Sequence, residues 1–162
     1  MIETERCLLY VIQQSNYKDV KELYLNKDVR EFLGGTREEE GIQGTFDEMI
    51  NSNNDSSYWI VRNKKTNEFI GLVSLDPHHI GNDIEISYQF LPKWWGAGYA
   101  TEVMKEIIKF AFESLNLSRV IAVTQTANIS SRKLLERLGM KLISKYQRFG
   151  ADQSLYSIES NS

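Results

Sequence analysis

Three places in the chain combine residue types and spacing that could do chemistry. The first is Gly96-Ala97-Gly98, lying between a strand-like run that ends at Pro92 and a helix-like run that starts at Tyr99. First-turn helix amides have no partner within the helix, and the helix dipole favours an anion there. Glycine removes the Cβ that would hold a phosphate oxygen away. Gly96, Ala97, Gly98, Tyr99, Ala100 and Thr101 can therefore offer a fan of N–H donors, although a purely conformational turn explains G-x-G equally well. Neither the longer dinucleotide fingerprint nor a G-K-[ST] pair is present. The second place is Glu85, a carboxylate on an alternating run that can act as a proton acceptor; its bland reading is a solvated strand residue. The third is Asn128 with Ser131, an amide and a hydroxyl whose residue types alone favour the plainer reading of a helix cap and a first-turn residue.

The elements that must position these residues follow from the pattern. Strands are expected at 6–13, 58–62, 68–75, 83–90, 119–124, 141–148 and 153–158, and helices at 17–25, 36–50, 99–111 and 130–138. Asn16 and Thr36 are the expected caps of the first two helices, and Gly139 closes the last in a left-handed conformation. The polar tract 51–57 reads as a loop, as does 149–152. Ile84, Ile86, Tyr88 and Phe90 share one strand face, and Asp83, Glu85, Ser87 and Gln89 the other. Strand, helix and strand in succession around residue 100 imply one parallel neighbour in an otherwise antiparallel sheet. The class is α/β (mixed α+β), with about seven strands flanked by about four helices.

The segment 84–140 resembles the cofactor core of the GCN5-related N-acetyltransferases (GNAT), and is most similar to their ribosomal-protein N-acetyltransferase-like (RimJ/RimL-type) branch. The carrying residues are Lys93-Trp94-Trp95-Gly96-Ala97-Gly98, against Gln/Arg-x-x-Gly-x-Gly/Ala, and NISSRKLLERLGMK from Asn128, against N-x-x-S/A…L-x-x-x-G-F. The opening TERCLLYVI is similar to that branch's T-E-R-L-x-L-R start. The resemblance implies a GNAT-type acyltransferase fold over a single domain, 1–162, with its cofactor core at about 83–140. It implies acetyl-CoA as cosubstrate. Backbone groups of Gln89, Phe90 and Leu91 would pair with the pantetheine arm, Lys93 and Gly96 to Thr101 would hold the pyrophosphate, and Asn128 and Ser131 would reach the cofactor from the other side. Glu85 becomes the general base for a primary amine, either a peptide N-terminus or a small-molecule amine. Attack is direct, in a ternary complex, with the oxyanion met by an N–H near Phe90 or Leu91. Lys93 departs from the pattern by losing the guanidinium fork. Leu135 stands where many relatives carry a tyrosine acid, which leaves Ser131 or solvent to protonate the thiolate. Trp94 and Trp95 are expected to wall the turn. The rival reading is a non-catalytic acyl-CoA sensor or interaction module.

Composition limits the rest. A net charge of −3 argues against a dedicated nucleic-acid binder, though not against a local anion site. One cysteine, Cys7, excludes a disulfide framework, and it is expected in the core. The start lacks the basic region and long apolar run of a signal peptide, and no segment suits a membrane span, so a cytoplasmic setting is the default. His78 and His79 sit beside Asp76, but neighbours on an extended chain point opposite ways, so no metal is expected. A histidine that helps to deprotonate the acceptor is a further role for this loop. The loops 33–40, 78–82 and 149–152 should border the acceptor, with acidic residues favouring a cation. A homodimer is left open.

Overall fold

The computed structural model describes residues 1–52, 55–79 and 81–161. Asn53 and Asn54 of the expected 51–57 loop, Ile80 of the expected 78–82 loop, and Ser162 lie outside the described residues. The elements run β1 (Ile2–Glu3), β2 (Cys7–Val11), α1 (Tyr17–Leu25), α2 (Lys27–Arg30), α3 (Glu39–Ile50), β3 (Ser57–Asn63), β4 (Phe69–Pro77), β5 (Ile84–Phe90), α4 (Tyr99–Glu113), β6 (Arg119–Gln125), α5 (Ile129–Arg137), β7 (Lys141–Arg148) and β8 (Ala151–Glu159). They build one eight-stranded sheet in the order β1-β2-β3-β4-β5-β6-β8-β7. Its pairs are antiparallel except β5 with β6.

The strand beyond the expected seven is β1, two residues that pair with Leu8 and Leu9 and are too short to show a pattern in sequence. Likewise α2 is a single turn, capped by the Asn26 side chain, which accepts from Val29 N–H. Asn16 stands at the N-cap of α1 as expected, but its Oδ1 accepts from Gln13 N–H rather than from the helix; the Thr36 cap is absent, since α3 begins after Glu38. Gly139 does take the left-handed conformation, at φ 89°. The loop at 149–152 contracts to Phe149 and Gly150, both at positive φ, the backbone of a tight two-residue hairpin turn.

Helices pack against both faces of the sheet, while the edge strand β7 stays largely exposed. One face meets α4 and α5 through Val103, Met104, Ile107, Ile108, Ala111, Leu134 and Leu135. The other meets α1 and α3 through Val20, Leu23, Ile42, Phe46 and Met49. Each Val, Leu, Ile, Phe or Met among them contributes about 1.5–3 kcal/mol when fully buried. No described helix is long and apolar enough to cross a membrane.

Two features of this core carry predictions. A Cβ on Gly71 would lie 2.3 Å from Gln89 O and 2.6 Å from Phe90 Cδ1, so β4 approaches β5 there as only glycine allows. Gly71→Ala must displace the end of β5; we expect a loss of about 1–3 kcal/mol in urea unfolding, with weaker acetyl-CoA binding. Cys7 is fully buried, and burial, aided by the nearby Glu102 charge, raises its thiol to about 11. The thiol should resist alkylation in the native protein. Because the folded pKa exceeds the unfolded one, its contribution to stability is complete below pH about 9 and is lost as pH rises to about 11. Urea titrations across that range should show a decline that Cys7→Ala reduces.

Candidate active site

The site begins where β5 leaves β6. Only Ile84 with Val120 and Glu85 with Ile121 are paired, although β5 runs on to Phe90 and β6 to Gln125. Beyond Glu85 each strand keeps its outer partner. β5 stays on β4 as far as Phe90 opposite Gly71, and β6 stays on β8 as far as Gln125 opposite Gln153. A wedge therefore opens between two strands that are each paired on one side only.

Leu91 N–H donates to Ile70 O, which sets the alternation along β5. In an antiparallel ladder the next backbone groups to face β4 are those of Gln89, while those of Tyr88 and Phe90 turn toward the wedge. Of the three residues expected to offer backbone groups, Phe90 is thus the one that faces it, and Phe90 O already accepts from Trp95 Nε1 at 2.7 Å. The two tryptophans divide. Trp94 packs edge-on against Tyr99 and donates to Phe69 O, whereas the Trp95 ring is about half exposed above the wedge.

At the wedge's wide end lies the glycine turn. Gly96 and Gly98 both have positive φ, at 79° and 83°, and α4 starts directly after with Ala100 and Thr101 in its first turn. Nothing lies within 4 Å of a Cβ built on Gly96, so the turn is open there. Lys93 points elsewhere. Its ammonium pairs with Glu68 and lies 5.0 Å from the Trp94 ring centroid.

Glu85 stands at the apex. Its Oε1 is 2.8 Å from His78 Nδ1, and the His78 side chain is almost fully buried. His78 N–H donates to Asp83 O, and the extended chain ends at Pro77. The expectation that His78 and His79 diverge therefore fails: their ring centroids are 4.0 Å apart. Donor atoms of His78, His79 and Glu85 fall within 4.8 Å of one another, and we read His78 and Glu85 as a hydrogen-bonded pair. Asp76 is directly opposite Glu85 in the ladder, on the same face, and accepts from Ser56 Oγ at 2.6 Å and Tyr58 Oη at 2.9 Å. Burial and then the Asp76 hydrogen bond push the Tyr58 hydroxyl well above its ordinary range.

On the wedge's opposite face, Tyr88 Oη donates to Ser131 Oγ at 2.9 Å. Burial raises the Tyr88 pKa, opposed by the Ser131 hydrogen bond and by Arg137. Asn128 caps α5, its Oδ1 accepting from Ser131 N–H at 3.2 Å. Leu135 is core. Sequence reasoning missed Tyr88, whose place in an apolar alternation hid its hydroxyl. It also missed Arg30, which is 5% exposed and lies over Tyr24. Arg30 donates to Leu33 O, Gly35 O and Gln89 Oε1, and so ties the loop after α2 to β5. No sequence pattern marks it.

A parallel pair thus parts beyond Glu85, with an open glycine turn at the wide end. Residues 6–141 match the acetyltransferase (GNAT) domain family. The chain belongs to the GNAT acetyltransferases. This GNAT chain is 27% identical over 149 residues to the uncharacterised N-acetyltransferase YoaA of Bacillus subtilis, covering 87% of this chain and 82% of that protein. Two solved structures share its fold. The ribosomal-protein-S5-alanine acetyltransferase of Vibrio fischeri superposes with TM-score 0.82 at 20% identity, over 99% of this chain and 96% of its own. The spermidine N-acetyltransferase of Vibrio cholerae, solved with CoA and spermine, has TM-score 0.82 at 17% identity, covering 95% of each chain. Those identities speak for fold alone. The GNAT assignment makes the protein an acyltransferase enzyme, as the motifs around Gly96 and Asn128 led us to expect.

Proposed function

We propose that the protein transfers the acetyl group of acetyl-CoA directly to a primary amine, with Glu85 as the proton acceptor. The observation that carries this reading is the parting of β5 from β6 immediately beyond Glu85. The residues present fit the cosubstrate. The wedge leaves the backbone of Tyr88 and the N–H of Phe90 to receive the acetyl-thioester end of an extended pantetheine arm in the manner of an added strand, with Phe90 O already held by Trp95. The open turn at Gly96 and the first amides of α4, from Gly98 to Thr101, suit a pyrophosphate. Asn128 and Ser131 border the wedge from α5, and Lys93 would have to leave Glu68 to take part.

Glu85 takes a proton from the acceptor ammonium, directly or through water, since only the free amine attacks a thioester. His78 holds that carboxylate in place. The Phe90 N–H, which ladder alternation turns into the wedge, suits the oxyanion; the Leu91 N–H does not, because Ile70 O takes it. Ser131, hydrogen-bonded to Tyr88, returns a proton to the departing thiolate, which answers the missing tyrosine at 135.

Asp76 and Glu85 face each other across adjacent strands, an arrangement of like charges that is relieved by a cation between them. That supports an acceptor that arrives as an ammonium ion, a peptide α-amino group or a small alkylamine. Thiol release from acetyl-CoA should be measured against short peptides, polyamines and aminoglycosides. At least one should turn over; tight cofactor binding with no turnover on any of them would make the protein a sensor.

A further inference from the structure

Arg6 and Glu102 are far apart in sequence and meet at the glycine turn. Glu102 lies in the first turn of α4, with its side chain 17% exposed. Its Oε1 accepts from Arg6 Nε at 2.7 Å, and its Oε2 from Arg6 N–H at 2.8 Å and Thr4 Oγ1 at 2.5 Å. Arg6 Nη1 then donates to Ala97 O at 2.9 Å, and its guanidinium lies 3.9 Å from the Tyr99 ring centroid. The turn between β1 and β2 is thereby bolted to the glycine turn and to the start of α4.

The Ala97–Gly98 peptide is trans and planar, so its C=O and N–H point in opposite directions. A carbonyl held by Arg6 on one side commits the Gly98 N–H to the other. Glycine at φ 83° lets the chain adopt this orientation, and Arg6 is what selects it. Arg6 has a second effect. A carboxylate in the first turn of a helix complements the dipole, but it repels an anion bound at the same end. Burial alone would raise the Glu102 pKa; hydrogen bonds from Thr4 and from the Arg6 amide and side chain outweigh that and hold it low, so the group is charged. The guanidinium beside it cancels that charge where the anion would sit.

We infer that Arg6 is a positioning residue for the phosphate cradle: it aims the Gly98 amide through Ala97 O and neutralises Glu102. The opening T-E-R thus serves the cofactor end of the site across the sheet, although it touches no cofactor. This rests on the cofactor reading given above.

The test is titration of acetyl-CoA into wild type, Arg6→Met, Arg6→Lys and Arg6→Met/Glu102→Gln, with thermal melts to check folding. Arg6→Met should bind acetyl-CoA roughly ten- to thirtyfold more weakly. Its KM for acetyl-CoA should rise in step, with kcat and the KM for the amine within about twofold of wild type. Lysine reaches Glu102 or Ala97 O but not both, so Arg6→Lys should fall between. Removing the stranded carboxylate in the double variant should recover part of the loss. If Arg6→Met fails to fold, Arg6→Lys alone decides: wild-type affinity in either single variant overturns the inference, as does a double variant weaker than Arg6→Met. Failure of the wild type to bind acetyl-CoA is a separate result that overturns the cofactor reading instead.

Discussion

Glu85→Gln is expected to lower kcat by roughly a hundredfold to a thousandfold and to leave acetyl-CoA affinity within about twofold. The substitution keeps the shape of the side chain and its contact with His78 while removing the proton acceptor. Glu85 sits at the apex of the wedge, away from the glycine turn, so cofactor binding should not feel the change. The defect should shrink as pH approaches the acceptor's own pKa, near 10 for an alkylamine, because the amine then arrives already deprotonated. A variant equally impaired at all pH values would show a structural effect, and one fully active from pH 6 to 9 would remove Glu85 from the mechanism.

Tyr88→Phe should carry the second large effect, a fall in kcat of roughly ten- to a hundredfold. It keeps the ring that packs at 6.0 Å, edge-on, against Phe90 and deletes the hydroxyl that donates to Ser131. Ser131→Ala breaks the same pair from the other side, and the double variant should be little worse than either single one. Since burial raises the Tyr88 hydroxyl, it remains protonated through neutral and mildly alkaline pH, as the group that replaces the proton Ser131 gives to the thiolate must. Replacing CoA's thioester by one with a more acidic leaving thiol should shrink the defect. If Tyr88→Phe and Ser131→Ala both keep normal turnover, solvent supplies the proton.

Much of this was legible in sequence because the strongest signals are local. The alternation from Asp83 to Phe90 placed Glu85 and Tyr88 on opposite faces, and the five buried apolar side chains of α4 announced its packing face. What sequence left out is what depends on partners distant in the chain. Tyr88 reads as another apolar position until α5 brings Ser131 to it. Arg30 gains meaning only when its guanidinium reaches Gln89, and Arg6 only beside Glu102. Backbone direction was equally hidden: that Phe90 rather than Leu91 faces the wedge follows from which residue bonds β4. His78 and His79 misled because adjacency implies divergence only while the chain is extended, and it turns after Pro77.

The central claim is direct acetyl transfer in a ternary complex beside Glu85. Initial rates with acetyl-CoA and the best amine from the panel varied together test it most directly. Intersecting double-reciprocal lines, lost in amplitude but not in pattern in Glu85→Gln, are the expected result. Parallel lines with an isolable acetyl-enzyme would contradict the account.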